Sequence, residues 1–261
     1  MSLNGGKIEQ TAQVFNKYKE NGAYHWNELE MHVKRYNAAL AARYNISENI
    51  IVRNCCSPPS IIVDIGCGDG VFTKRLAEIF KNSTVIGFDF DETAIRLANE
   101  KKNKLSLTNL SFIKGNAFEH INKADLIVAT DVIEHLHKPD EFMKNCFSTL
   151  NNKGNLFLST PIRFRESPTD QYHVHEFFFK ELDDFSKLFG FLAIEHLQSH
   201  DYTHNEKYNK RNRLLGIGKE RYYLKYFYNF MAIYFSRNIF ENQDSKLPIM
   251  QYLLLKKAIV P

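Results

Sequence analysis

Three glycines at alternate positions, Gly66, Gly68 and Gly70, follow the β-branched run Ile61-Ile62-Val63. A chain that turns this tightly can bring its backbone close to a ligand. A dinucleotide-binding turn spaces its glycines as G-x-G-x-x-G, and here the third of those positions would be Val71. The pattern is instead G-x-G-x-G, with Asp64 ahead of it and Cys67 and Asp69 inside it. Two carboxylates disfavour a pyrophosphate and favour a ligand that carries positive charge. Asp89 stands 23 residues after Gly66, where a second apolar run ends. A carboxylate in that place can accept both hydroxyls of a ribose. Further on come the pair Glu134-His135 and the histidines His173 and His175. A neutral imidazole is the usual base toward a hydroxyl group. In an extended segment His173 and His175 would point to opposite sides, so one of them is expected to face a site.

These residues need a scaffold that gathers them at one edge. The spacing predicts a strand at 60–65, a helix at 70–82, a strand at 84–89 and a helix capped by Asp91 that runs to about 102. Short strands follow at 110–113 and 124–129. A helix at 140–150 leads to strand 156–159, and a helix at 178–189 leads to strand 192–197. Residues 251–255 read as the last strand. Strict alternation implies an α/β fold with a parallel sheet and helices on both faces. Ligands of such sheets sit at the carboxyl ends of the strands, where Gly66–Gly70, Asp89, Asn116-Ala117, Asp131–His135 and the loop to His173 all fall.

Two stretches lie outside this alternation. Residues 1–55 are polar with scattered aromatics and read as a helical cap ahead of the sheet domain 56–261. Its Tyr24-His25-Trp26 cluster either lines a pocket or docks the cap on the core. Residues 198–247 read as an insertion before the last strand. It holds a basic run, Lys207 to Lys225, and then an aromatic helix at 222–235. Such a helix is too short to cross a bilayer but long enough to lie along a membrane interface, to close over a substrate or to pack on the cap. The net charge of +4 is mild, so nucleic acid is not the expected partner. Cys55, Cys56, Cys67 and Cys146 lack metal-binding spacing, and Met1–Gly6 lacks a secretory pattern. A reduced, cytoplasmic protein is the expectation.

The string Val63-Asp64-Ile65-Gly66-Cys67-Gly68-Asp69-Gly70 resembles the first motif, D-x-G-x-G-x-G, of the class I S-adenosylmethionine-dependent methyltransferases. Their ligand carries a sulfonium and an ammonium, which suits the acids noted above. The string Ala129-Thr130-Asp131-Val132-Ile133-Glu134-His135-Leu136 is similar to the small-molecule O-methyltransferase branch, including enzymes of ubiquinone biosynthesis. The resemblance covers roughly residues 60–198. It implies a Rossmann-like, mostly parallel seven-stranded sheet whose final strand is antiparallel. It also implies S-adenosylmethionine held by Asp64, Gly66, Cys67, Gly68, Gly70, Asp89, Phe90, Asn116, Ala117 and Asp131. Glu134, His135 and His173 are then expected at the transferable methyl. The expected reaction is O-methylation of a small or carrier-linked acceptor, such as a glycan, a lipid precursor or a metabolite, with no metal required. Two alternatives stand beside it. Asp131, Glu134, His135 and His173 also resemble the metal-holding pattern of RNA 3′-terminal 2′-O-methyltransferases, with Asp131 in place of the usual Glu, and such a set suits a divalent ion. The other is a cofactor-binding module without catalysis.

Overall fold

The computed structural model describes residues 17–258 except 56, 167, 169, 215 and 216. Residues 1–16 of the expected cap therefore lie outside the described residues, as do the side chains of Arg213 and Lys219 in the insertion. The cap begins with two short helices, α1 (Lys17–Asn21) and α2 (Tyr24–Glu28), and continues in the long helix α3 (Ala38–Asn54). Asn37 caps α3 by accepting from the Leu40 N–H.

The sheet domain then alternates as its patterning predicts. It runs β1 (Ile61–Ile65), α4 (Val71–Ile79), β2 (Thr84–Asp89), α5 (Glu92–Lys102), β3 (Leu110–Lys114), α6 (Ala117–His120) and β4 (Ala124–Thr130). Next come α7 (Pro139–Thr149), β5 (Leu150–Pro161), α8 (Phe179–Lys187) and β6 (Phe191–Asp201). Asp91 caps α5 through the N–H groups of Thr93 and Ala94, as expected. The insertion consists of α9 (Tyr202–Asn209), a hairpin of β7 (Asn212–Leu214) and β8 (Ile217–Arg221), and α10 (Tyr223–Phe235). The last strand is β9 (Pro248–Lys257).

Seven strands form one sheet in the order β3-β2-β1-β4-β5-β9-β6. β9 is antiparallel to both β5 and β6, and the other pairs are parallel. β6 runs four residues beyond the expected 197, because its pairing with β9 continues to Asp201 opposite Pro248. The insertion therefore starts at Tyr202 instead of 198. β5 is likewise longer than 156–159, since Asn155–Pro161 pair with β9 on one side while Leu150 and Asn155–Ser159 pair with β4 on the other.

One face of the sheet is covered partly by α3. Its Leu40, Tyr44, Ile50 and Ile51 share a core with Phe72 and Leu76 of α4 and with Tyr252 and Leu254 of β9. Tyr44 stacks on Phe72 with ring centroids 4.9 Å apart. Burying such apolar surface is the main favourable contribution to this layer. The opposite face is closed by Phe142, Met143 and Cys146 of α7 and Leu182 of α8.

The insertion is joined to the cap by a polar contact. Asn229 of α10 is fully buried. Its Nδ2 donates to the Val33 and Tyr36 carbonyls at 2.8 and 2.5 Å. Its Oδ1 accepts from the Ala38 N–H and from the Tyr208 hydroxyl of α9. Asn229→Ala leaves two carbonyls without those donors, and the expected cost is about 2–4 kcal/mol. Urea denaturation of the two proteins checks this; equal midpoints would show that the contact does not hold the insertion.

Candidate functional site

The glycine loop turns directly after β1. The N–H groups of Gly66 and Cys67 both donate to the Phe88 carbonyl of β2, at 2.8 and 3.0 Å. The Gly68 N–H donates to Asp89 Oδ2 at 2.8 Å. Gly68 has φ +56°, and a Cβ built there would stand 2.0 Å from the Tyr18 hydroxyl. A Cβ on Gly66 would stand 2.5 Å from the Val132 methyl in the segment after β4. A side chain at either position would therefore collide with Tyr18 or Val132, which already pack against the loop.

Asp89 keeps acceptor capacity for a ribose. Each oxygen accepts one backbone N–H, Gly68 on one and Asp91 on the other, and a carboxylate has about four lone-pair sites. Burial raises its pKa, opposed by those N–H groups. Phe90 beside it is 62% exposed, an apolar ring free to cover a flat base. Asn116 caps α6 by accepting from the Phe118 N–H at 3.1 Å, and Ala117 is buried behind it.

Two members of the expected donor set are structural in this fold. Asp64 is buried beneath the loop and accepts from the Thr73 hydroxyl of α4 at 2.6 Å. It ties α4 to β1. The Cys67 side chain packs against Gly87 in the core. Its N–H goes to Phe88 and its carbonyl accepts from Gly70 at 3.0 Å, so it shapes the turn.

Tyr24-His25-Trp26 docks the cap on the loop. Asp69 is fully buried and its carboxylate takes the His25 backbone N–H and faces His25 Nδ1, both at 3.1 Å. The Trp26 indole donates to the Asp69 carbonyl at 2.8 Å. Asp69, suggested above as a partner for a cation, is thus occupied by the cap. Tyr18 stacks on Tyr24 over Gly68, and burial pushes its hydroxyl pKa far up. Nothing in the sequence marks Tyr18, because α1 carries no motif.

The second half of the site follows β4 and abuts Gly66 through Val132. Asp131 sits in the left-handed region at φ 55°, and its N–H donates to the Ser159 carbonyl at 2.9 Å. Its carboxylate pairs with Arg43 of α3. Glu134 is fully buried. One oxygen accepts from the Thr160 hydroxyl at 3.0 Å, and the other has no hydrogen-bond partner among the described residues. Burial, reinforced by the charge of Asp131, raises the Glu134 pKa well above the ordinary carboxylate range.

His135 and His173 meet edge to face with ring centroids 4.9 Å apart. His135 Nδ1 lies 2.9 Å from the Tyr172 carbonyl, so that nitrogen carries the proton and Nε2 is the basic one. Burial lowers the His135 pKa below its ordinary 6.5. His173 Nδ1 is 2.6 Å from the buried carboxylate of Glu176. His175 points elsewhere, toward Glu181 and the Phe177 ring, as the alternation predicted. The loop carrying these histidines is closed at its base by the bridge Ile162–Phe177. Lys17 of the cap lies over its Tyr172 ring.

No metal was expected, yet ligand-type atoms of Glu134, His135 and His173 lie within 4.8 Å of one another. In both imidazoles Nδ1 is anchored on an oxygen acceptor, the arrangement that orients metal-binding histidines. Asp131, the fourth residue of the metal pattern considered above, is paired with Arg43 instead of joining them.

Residues 58–216 match the family model described as a methyltransferase domain. Over 107 residues the chain is 33% identical to a mitochondrial ubiquinone biosynthesis O-methyltransferase of Saccharomyces cerevisiae, covering 40% of this chain and 34% of that protein. Over 132 residues it is 30% identical to a malonyl-[acyl-carrier protein] O-methyltransferase of Halalkalibacterium halodurans, covering 48% and 46%. The match thus spans between a third and a half of these relatives' lengths. Among solved structures, the phosphoethanolamine N-methyltransferase 2 of Haemonchus contortus superposes with a TM-score of 0.60 at 15% identity, covering 94% of this chain and 59% of that one. That likeness concerns the fold.

Asp64 supplies a test of the loop's electrostatics. Its pKa is raised from 3.8 to about 7, chiefly by burial, with Asp89 adding to the shift. A carboxyl whose folded pKa is raised favours the folded state while protonated. That contribution is complete below 3.8 and is lost as pH rises through about 7. Asp64→Asn should remove this loss, so the melting temperature of the variant should rise relative to wild type across that window. Thermal scans of the ligand-free proteins check it; parallel profiles would show that Asp64 does not titrate there.

Proposed function

The chain belongs to the methyltransferase domain family of class I S-adenosylmethionine-dependent enzymes, and from that premise we propose that it methylates a hydroxyl group presented to His135. The observation that carries this reading is the meeting of His135 and His173 over buried Glu134, in the segment that abuts the glycine loop at Gly66. The two ubiquinone and malonyl-carrier relatives, both named as O-methyltransferases, support an oxygen acceptor.

The residues at the donor side fit S-adenosylmethionine. Asp89 has lone pairs for ribose hydroxyls, and exposed Phe90 can cover the adenine. When bound, the donor supplies an electrophilic methyl group on a sulfonium. The protein's own work is positional and protolytic. The loop and the segment Asp131–His135 bring two binding regions to adjacent strand ends, β1 and β4, and such positioning accounts for much of the acceleration of a displacement. His135 Nε2 accepts the proton of the acceptor hydroxyl, and the Tyr172 carbonyl holds the opposite nitrogen so that the tautomer is fixed. Because burial lowers its pKa, His135 is neutral and ready as a base at pH 7. Arg43 offsets the Asp131 charge at the same edge.

A panel of phenolic, sugar and carrier-linked hydroxyl acceptors, assayed with radiolabelled donor, tests the reading. His135→Gln should lower kcat by about 100-fold or more while donor affinity stays unchanged. The acid limb of kcat/KM should lie below pH 6.5, the ordinary imidazole value. Turnover that survives in His135→Gln, or that prefers amines, would overturn it. For the donor side, Asp89→Ala should weaken S-adenosylmethionine by about 100-fold in calorimetry, from two charge-assisted hydrogen bonds; equal affinities would remove Asp89 from the ribose.

A second reading is favoured by the unpartnered oxygen of Glu134 beside two anchored imidazoles. Glu134, His135 and His173 would hold a divalent ion, which would supply Lewis-acid activation of the acceptor oxygen. Metal analysis separates the two readings. On the first, chelation leaves turnover unchanged. On the second, the protein takes up one equivalent of metal, His173→Ala abolishes that uptake, and RNA 3′ ends join the acceptor panel.

A further inference from the structure

Helix α10 packs Tyr228 and Ala232 against the cap and α9 but leaves a second, aromatic stripe outside. A surface helix usually buries its apolar stripe and exposes its polar face. Here the one fully buried residue is Asn229, while Phe227, Phe230, Tyr234 and Phe235 are 55%, 42%, 61% and 57% exposed. Tyr223, Phe227, Phe230 and Tyr234 recur at helical spacings of four, three and four and so occupy one stripe. Phe230 touches Tyr234 and Phe235, with ring centroids at 5.1 and 5.6 Å. The aromatic rings associate with one another on the outside of the molecule.

The charge around this stripe indicates what covers it. Lys207 at the end of α9, Arg211, and Arg221 at the end of β8 are exposed ahead of the helix, and Arg237 is exposed just after it. From residue 207 to residue 237 the only acid is Glu220. Arg211 lies over the Tyr222 ring at 5.2 Å, so charge and aromatic surface adjoin. A second copy of this chain would bring the same positive charge against it, which opposes a face-to-face pairing. An anionic bilayer offers the complement, apolar depth for the rings and phosphate for the arginines and lysine. Tyr222, Tyr223 and Tyr234 suit the boundary, where a ring can be buried and its hydroxyl remain wet. No helix among the described residues is long and apolar enough to cross a membrane, so α10 would lie in the interface plane.

We propose that the Tyr223–Phe235 helix, with the basic side chains that flank it, is a docking surface for anionic lipid bilayers. The surface shares no residue with the methyl-transfer site described above, and its test does not depend on which acceptor is used. The full chain is sedimented with vesicles of phosphatidylcholine alone and of phosphatidylcholine mixed with phosphatidylglycerol. Partitioning should be at least about tenfold stronger on the anionic vesicles and should weaken with added salt. The triple variant Phe227→Ser, Phe230→Ser, Tyr234→Ser should lose at least about tenfold of that binding. The variant Lys207→Gln, Arg211→Gln, Arg221→Gln should lose the preference for anionic over neutral vesicles. Donor affinity, read by calorimetry, should be unchanged in both. Wild-type protein that fails to sediment with anionic vesicles, or that binds neutral vesicles equally well, overturns the proposal. So does a dimer in solution that the triple variant dissociates, since the stripe would then be an interface between copies.

Discussion

The glycine loop has no side chains of its own to hold it at Gly66, Gly68 and Gly70, so its shape depends on where its backbone N–H groups are accepted. The end of β2 provides those acceptors. The Phe88 carbonyl takes two of them and the Asp89 carboxylate takes a third. The residue suited to grip a ribose is thus the same residue that sets the loop's curvature. A change at Asp89 alters both the grip and the cradle, which is why an acid at the end of the second strand matters beyond its own hydrogen bonds. The loop is then clamped from outside by the cap, through His25 and Trp26 on Asp69 and through Tyr18 over Gly68. Any ligand reaching the loop must share the space with these rings.

Charge at the acceptor edge follows the same economy. Burial disfavours ionisation of Glu134, and the charge of Asp131 adds to this. A single guanidinium, Arg43, meets Asp131. Glu134 accepts from the Thr160 hydroxyl, and the charge of Arg43 offsets its burial only in part, so its protonation is the cheapest way to bury it. A bound cation would reverse that preference. The same carboxyl can therefore serve as a neutral structural group under a base, or as an ionised ligand. This is the physical origin of the two readings of the site.

Much of this was legible in residue types and spacing. The strand, turn and helix around Gly66–Gly70 and the acid at Asp89 are local patterns, and the elements lie within a few residues of their predicted bounds, except β5, which starts six residues early at Leu150. The antiparallel β9 was legible only through the family resemblance, because a buried apolar run such as Tyr252–Leu255 has no direction written in it. Long-range partners were not legible. Arg43 meets Asp131 across 88 residues of chain and Asp69 meets His25 across 44. Neither pairing leaves a trace in local periodicity. Asn116 shows the complementary limit. A site acceptor and a helix cap ask for the same side chain at the same place, and the structure shows it acting as the cap.

The insertion carries the most instructive inversion. Helical periodicity alone would turn Asn229 to solvent and the phenylalanines inward. The structure buries Asn229 alongside Tyr228 and Ala232 and leaves the phenylalanines out, because the groups beneath Asn229 are polar. The Val33 and Tyr36 carbonyls and the Ala38 N–H belong to the irregular chain entering α3, where backbone groups lack helical partners. One asparagine, able both to donate and to accept, satisfies them. An apolar side chain there would leave several buried backbone groups unpaired, at a cost larger than the gain from burying one more ring. Satisfying the start of α3 thus fixes the rotation of α10, and that rotation leaves the aromatic stripe on the outside.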